Sequence, residues 1–143
     1  HLTFQYWRAD KMNKLIKFLE EMIEASREAT IPLDMGYWHC GSSCCLIGDL
    51  TVYRDPGNSS SNLACMAAAS ELENLFEDVL EEAGLSVAES IYGSTYVVRR
   101  TGAYESEFFT NEELRHPHIN EEHSDREIAI DFINLIIRKL EKL

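Results

Sequence analysis

Apolar residues recur at helical spacing in three stretches of the chain, and each stretch predicts a helix with one buried side. Met12, Leu15, Ile16, Leu19, Met22 and Ile23 follow the i, i+3, i+4, i+7 rule, while Lys14, Lys17, Glu20, Glu21 and Glu24 fall on the other side. Leu2, Phe4, Tyr6 and Trp7 either extend this helix backwards or pack as an arm. Thr30-Ile31-Pro32 ends it, because the residue before a proline is driven out of the helical region. Leu72, Leu75, Phe76, Val79, Leu80 and Ala83 form the second stripe, which Gly84 stops. Its start is either the capping box Ser70-Glu71-Leu72-Glu73 or, since Ala64–Ala69 is itself helix-prone, a point near Asn62. Ala129, Phe132, Ile133, Ile136, Ile137 and Leu140 form the third, opened by the capping box Ser124-Asp125-Arg126-Glu127. Arg138, Lys139 and Lys142 sit at its C-terminal end, where the helix dipole favours cations.

Between these stripes the pattern is shorter. Gly41 turns the chain, and Ser42 or Ser43 is placed to cap a helix through Cys44, Cys45, Leu46 and Ile47, which Gly48 either closes or packs closely. Thr51-Val52-Tyr53 reads as a short strand or as a continuation of that helix. Asp55-Pro56-Gly57-Asn58-Ser59-Ser60-Ser61 is a loop by its proline, glycine and serine density. Ser86-Val87-Ala88-Glu89 opens a short helix that Gly93 ends. Tyr96-Val97-Val98-Arg99 is the best strand, with Leu50–Tyr53 or Tyr104–Phe109 as its hairpin partner. The expected fold is mainly α, with four to five helices in a single compact domain and a small β-hairpin as a minor α+β element. Residues 12–143 form that domain. Residues 1–11 are a natural extension or an appended arm, Met12 being a plausible start.

The chain has 143 residues, enough for one self-sufficient core. Its formal net charge of −12 sets it against direct nucleic-acid binding, which needs a basic surface, and against anionic membranes. The same charge permits a basic protein partner, or mimicry of the nucleic acid that such a partner holds. Glu71, Glu73, Glu77, Asp78, Glu81 and Glu82 crowd one helix and would make one of its faces strongly negative. No run of apolar residues is long enough to span a bilayer and no secretory signal is visible. Unsignalled cysteines imply reduced thiols, so the expected location is the cytoplasm.

The four cysteines are the sharpest chemical feature. Cys40 with Cys44 or Cys45 has tolerable spacing for a structural zinc site, with Cys65 left as the second-half ligand and His39, His116, His118 or His123 completing the set, but the paired CxxC signature is missing. Cys40 with Cys45 or Cys65 suits a redox pair. Cys44 or Cys45 at a helix N-terminus, with His39 as base, suits a nucleophile. Against these stands the plain alternative that buried cysteine is a small hydrophobe. The acids and histidines between Thr110 and His123 read as a solvated loop. No GxGxxG, GxxxxGK[ST], HExxH or GxSxG occurs. No cofactor is implied.

Trp38-His39-Cys40-Gly41-Ser42-Ser43-Cys44-Cys45-Leu46-Ile47-Gly48 resembles a W-x-C-G-[TS]-x-x-C-x-x-G motif of small phage and prophage proteins of unassigned activity. This chain departs from the pattern by carrying Cys44 where alanine is preferred, which makes Cys45 the counterpart of the second cysteine. The resemblance by itself implies no activity. Joined to the small size, the acidity and the lack of a catalytic motif, it gives as the expected function a non-enzymatic phage or mobile-element accessory protein, in the cytoplasm of a bacterial or phage-infected cell, that acts by binding a protein, with an acidic mimic of nucleic acid for a basic, nucleic-acid-handling partner as one version. A small cysteine-dependent enzyme or redox protein using Cys40 and Cys45 is the first alternative, and a structural zinc domain the second.

Overall fold

The computed structural model describes residues 2–33, 45–58, 62–84, 112 and 126–143. Four α-helices carry them: α1 (Leu2–Glu28), α2 (Leu46–Arg54), α3 (Asn62–Glu82) and α4 (Arg126–Glu141). The mainly helical class holds, and among the described residues there is no strand. Leu50–Tyr53 lie in α2, which removes them as a hairpin partner. Tyr96–Arg99, Tyr104–Phe109 and the short helix opened at Ser86 lie outside the described residues. No helix among the described residues is long and apolar enough to cross a membrane.

The helix α1 is the spine. It packs against α2, α3 and α4, and α2 also packs on α3. Leu15, Phe18, Leu19, Met22, Ile23 and Ala25 are buried on one half of its circumference, with Met12 and Ile16 partly buried at the edge. At about 100° per residue those positions sweep about half a turn, wide enough to serve three neighbours. The helix runs unbroken back to Leu2, so residues 2–11 continue its backbone. It stops at Glu28, ahead of Pro32.

The short helix α2 differs from the reading of its sequence. Cys45 is its N-cap, with extended backbone at φ −83° and ψ −178°, so the helix starts at Leu46 and does not include Cys45, while Cys44 and the capping candidates Ser42 and Ser43 lie outside the described residues. Gly48 therefore lies inside the helix rather than at its end. Leu46, Ile47, Gly48, Asp49, Leu50 and Thr51 are all buried, and this burial outweighs the poor helix propensity of glycine and threonine. The Thr51 hydroxyl donates to the Gly48 carbonyl at 2.8 Å, the local bond by which a helical threonine satisfies its side chain. Thr51-Val52-Tyr53 is thus a continuation of the helix.

The helix α3 begins at Asn62, upstream of the capping box at Ser70, and buries Cys65, Ala68, Ala69, Leu72, Leu75, Phe76, Val79 and Leu80. Gly84 follows it at φ +74°, a left-handed conformation that glycine adopts without strain. The helix α4 buries Ala129, Phe132, Ile133, Ile136 and Leu140, with Ile137 partly buried. Its expected cap residues Ser124 and Asp125 lie outside the described residues.

Among the described residues, Arg54, Lys11 and Arg126 bridge the helices. Arg54 of α2 donates from Nε to Glu21 of α1 at 2.7 Å, reaches Glu71 of α3 at 3.6 Å, and lies 5.0 Å from the centre of the Phe18 ring. Lys11 of α1 pairs with Asp78 of α3 at 3.2 Å. Arg126, at the start of α4, grips Asp49 of α2 with two parallel bonds, Nε to Oδ2 at 3.0 Å and Nη2 to Oδ1 at 2.8 Å. The first two bridges are partly exposed and contribute little individually. The third is different, because the Asp49 side chain is only 1% exposed and that of Arg126 18%. Removing one member of such a pair leaves a buried charge without its counterion. Arg126→Met is expected to destabilise the fold by about 3 kcal/mol, and Asp49→Asn in the same chain should recover part of that loss. Urea unfolding of the two single variants and the double variant checks this, and strictly additive losses would refute the coupling.

Candidate functional site

Two places on the molecule collect the residue types that the sequence singled out. The first is the side of α3 turned away from the core. With Leu72, Leu75, Phe76, Val79 and Leu80 buried, helical geometry assigns the six acids to the remaining half of the circumference. They divide into two rows there. Glu71, Asp78 and Glu82 line the seam: Glu71 meets Arg54, Asp78 meets Lys11, and Glu82 is half-buried, with its Oε2 buried and lacking a hydrogen bond. Glu73, Glu77 and Glu81 form a separate row at i, i+4, i+8, and no described cation pairs with them. Charges of one sign at this spacing repel. Burial, followed by the charge of Glu77, holds the Glu73 carboxyl above its ordinary value. Upstream on the same helix, Leu63 is 77% and Met66 51% exposed.

The second place is the interior around α2. Cys45 and Cys65 are not joined in a disulfide, and both are fully buried. Cys65 Sγ lies 3.6 Å from Thr51 Oγ1. Since that hydroxyl already donates to the Gly48 carbonyl, the thiol is the donor in a short relay from Cys65 to Thr51 to Gly48. Burial pushes the Cys45 thiol from 9.0 up to about 12, against a weaker opposing pull from the Gly48 and Ile47 amides. Burial also raises Cys65, against the Thr51 hydroxyl. A nucleophilic or metal-binding cysteine needs the thiolate, so both shifts run the wrong way for that chemistry. A helix N-terminus lowers a thiol only where the thiol keeps some polar surroundings, and at Cys45 desolvation dominates. His39 and Cys40 lie outside the described residues, as do the other histidines. Among the described residues no group of three or more His, Cys, Asp or Glu could hold a metal ion.

A cleft of about 480 Å³ opens between the end of α1 and the start of α4, lined by Ser26, Arg27, Arg126, Glu127 and Asp131 among others. Ser26 is buried and its Oγ lacks a hydrogen bond. The lining mixes cations and anions, and no described histidine or thiol reaches it to activate the hydroxyl.

Sequence reasoning missed the Asp49–Arg126 pair. Two signals pointed to it: a carboxylate inside the otherwise apolar run Leu46–Tyr53, and an arginine in the first turn of α4, where the dipole disfavours a cation unless an anion is near. It also missed the exposed Leu63 and Met66, which break the polar pattern of the outer side of α3.

Compared with known proteins, the chain matches no family model, no curated protein and no solved structure.

Two outcomes follow. Cys45 and Cys65 should resist alkylation at pH 8 in the native protein and label fully in denaturant, as read by mass spectrometry of the two peptides; rapid native labelling would contradict the burial. Glu73→Gln should stabilise the fold by a few tenths of a kcal/mol at pH 7. A carboxyl raised on folding is favoured while protonated and loses stability as pH rises. The gain should therefore vanish below the ordinary value of 4.5, which paired thermal melts at pH 7 and pH 3 would show.

Proposed function

We propose that this is a non-enzymatic accessory protein of a phage or mobile element, acting in the cytoplasm by binding a basic protein partner, one that handles nucleic acid. The phage setting comes from the Trp38–Gly48 motif and the cytoplasmic setting from unsignalled thiols. The binding mode comes from α3. The observation that carries it is the row Glu73, Glu77 and Glu81, three carboxylates at repelling spacing with no described counterion. A fold gains nothing in stability from such a row, whereas a cationic partner gains from it both attraction and faster encounter. The acidic half of α3 would take the place of nucleic acid in the partner's basic groove.

The cysteine-based alternatives draw no support from the described residues. Cys45 and Cys65 are buried thiols raised in pKa, which suits packing rather than redox exchange or zinc.

The test neutralises Glu71, Glu73, Glu77, Asp78, Glu81 and Glu82 to their amides. Proteins captured from bacterial host lysate by the parent chain and by this variant are compared at about 50 mM and about 500 mM salt, either side of the range over which exposed charges become screened. A partner held by the parent at low salt, and lost to high salt or to the variant, is expected. An unchanged set of captured proteins would overturn the reading, provided circular dichroism shows that the variant keeps its helices.

A further inference from the structure

The outer side of α3 is not uniformly acidic. Leu63, Met66, Ser70, Glu73 and Glu77 recur at alternating steps of three and four, the spacing of a helix seam that meets a second helix along its length. Leu63, Met66 and Ser70 are exposed, and Glu73 and Glu77 are partly so. The stripe is polarised: two large apolar side chains stand at its N-terminal end, and the Glu73, Glu77 and Glu81 row stands at the other. We propose that this stripe docks one amphipathic helix of a partner protein, whose apolar side chains cover Leu63 and Met66 and whose Lys/Arg row lies along Glu73, Glu77 and Glu81. The proposal rests on the protein-binding reading above and adds the shape and polarity of what is bound.

Charge selects this occupant. Isolated leucines on a surface are ordinary, but two large apolar residues in register with a seam are not scattered singly. A basic groove walled by phosphate-binding cations alone would leave Leu63 and Met66 against polar surface, so the groove that receives α3 must include a helix with an apolar half beside its cationic one. A second copy of the chain fits no better. A symmetric dimer through this stripe is isologous. Run parallel, it would set Glu73, Glu77 and Glu81 against their own copies. Run antiparallel, it would set Leu63 and Met66 against the carboxylates. Only a partner with apolar and cationic halves matches both ends at once. Removing the carboxylate repulsion also relieves the strain on Glu73, which burial and Glu77 already hold above its ordinary value.

From Leu63 to Glu81 the stripe is about 27 Å long, at about 1.5 Å per residue. The probe is therefore a synthetic helical peptide of about 18 residues, with leucines at seam positions of one half and lysines at those of the other. It carries a nitroxide at its apolar end or at its basic end. It is titrated into the full isotope-labelled chain and followed by amide resonances. The label on the apolar end should broaden the Leu63 and Met66 amides, and the label on the basic end those of Glu77 and Glu81. Leu63→Ser with Met66→Ser should weaken binding by about tenfold or more and leave its salt dependence unchanged. Glu73→Gln with Glu77→Gln and Glu81→Gln should weaken binding and flatten that dependence. Binding absent, sited elsewhere, or with both labels broadening both ends would overturn the proposal. If the serine variant binds as the parent does while the glutamine variant does not, the docked helix falls and the acidic protein-binding reading survives. If the glutamine variant also binds as the parent does, both fall.

Discussion

A carboxylate cannot sit unpaired in an apolar interior, and much of this architecture follows from that constraint on Asp49. The first six residues of α2 are buried, so no face of that segment is left on which an ionised side chain could reach water. Asp49 is held there because Arg126, 77 residues further on, supplies two charge-assisted bonds in the planar geometry that suits a carboxylate. The pair also resolves an electrostatic conflict at the start of α4, where a cation would otherwise oppose the helix dipole. One interaction thereby fixes the position of the N-terminal end of α4, and with it the register at which Phe132, Ile133 and Ile136 meet the core.

The spine α1 sets the other limit. A single helix serves three neighbours only if its apolar stripe is wide, and the residues from Leu15 to Ala25 provide that width. The bridges from Lys11 and Arg54 then act at the edges of the stripe, where α1 meets α3 and α2. Arg54 shows how much one side chain can combine: its guanidinium lies over Phe18 and meets acids from two other helices, so its aliphatic stem and its charge are both in use.

The long periodic helices were legible because their burial is one-sided and therefore written as a period. Every residue of the stripe from Leu72 to Leu80 is buried as the spacing requires, and Gly84 takes up the left-handed conformation expected of a helix stop. The short helix was not legible in the same way. Its first six residues are all buried, so that segment has no period, and β-branched Thr51 and Val52 suggest a strand until tertiary packing overrules local preference. Its start was misplaced because capping serines are a local signal, whereas the extended backbone at Cys45 is set by what the helix packs into. Within the candidate site, the acids of α3 were visible as residue types. Their division into a seam row and an outer row was not, because it depends on where Lys11 and Arg54 come to lie.

That division carries the main functional consequence of the fold. The chain has 25 acids and 13 lysines and arginines, so nearly half of the carboxylates must go without a cation of their own, and the fold decides which. Cations placed at helix seams neutralise the acids beside them, as Lys11 does for Asp78 and Arg54 for Glu21 and Glu71. Negative charge is thereby concentrated on surfaces that no internal packing uses. The outer row of α3 is such a surface, and at the N-terminal end of the same stripe Leu63 and Met66 also lie uncovered. Stability alone would favour lysines among Glu73, Glu77 and Glu81 and polar residues at positions 63 and 66. The sequence departs from that preference at both ends of one helical stripe, and the proposed docking contact is what would offset the cost at each end.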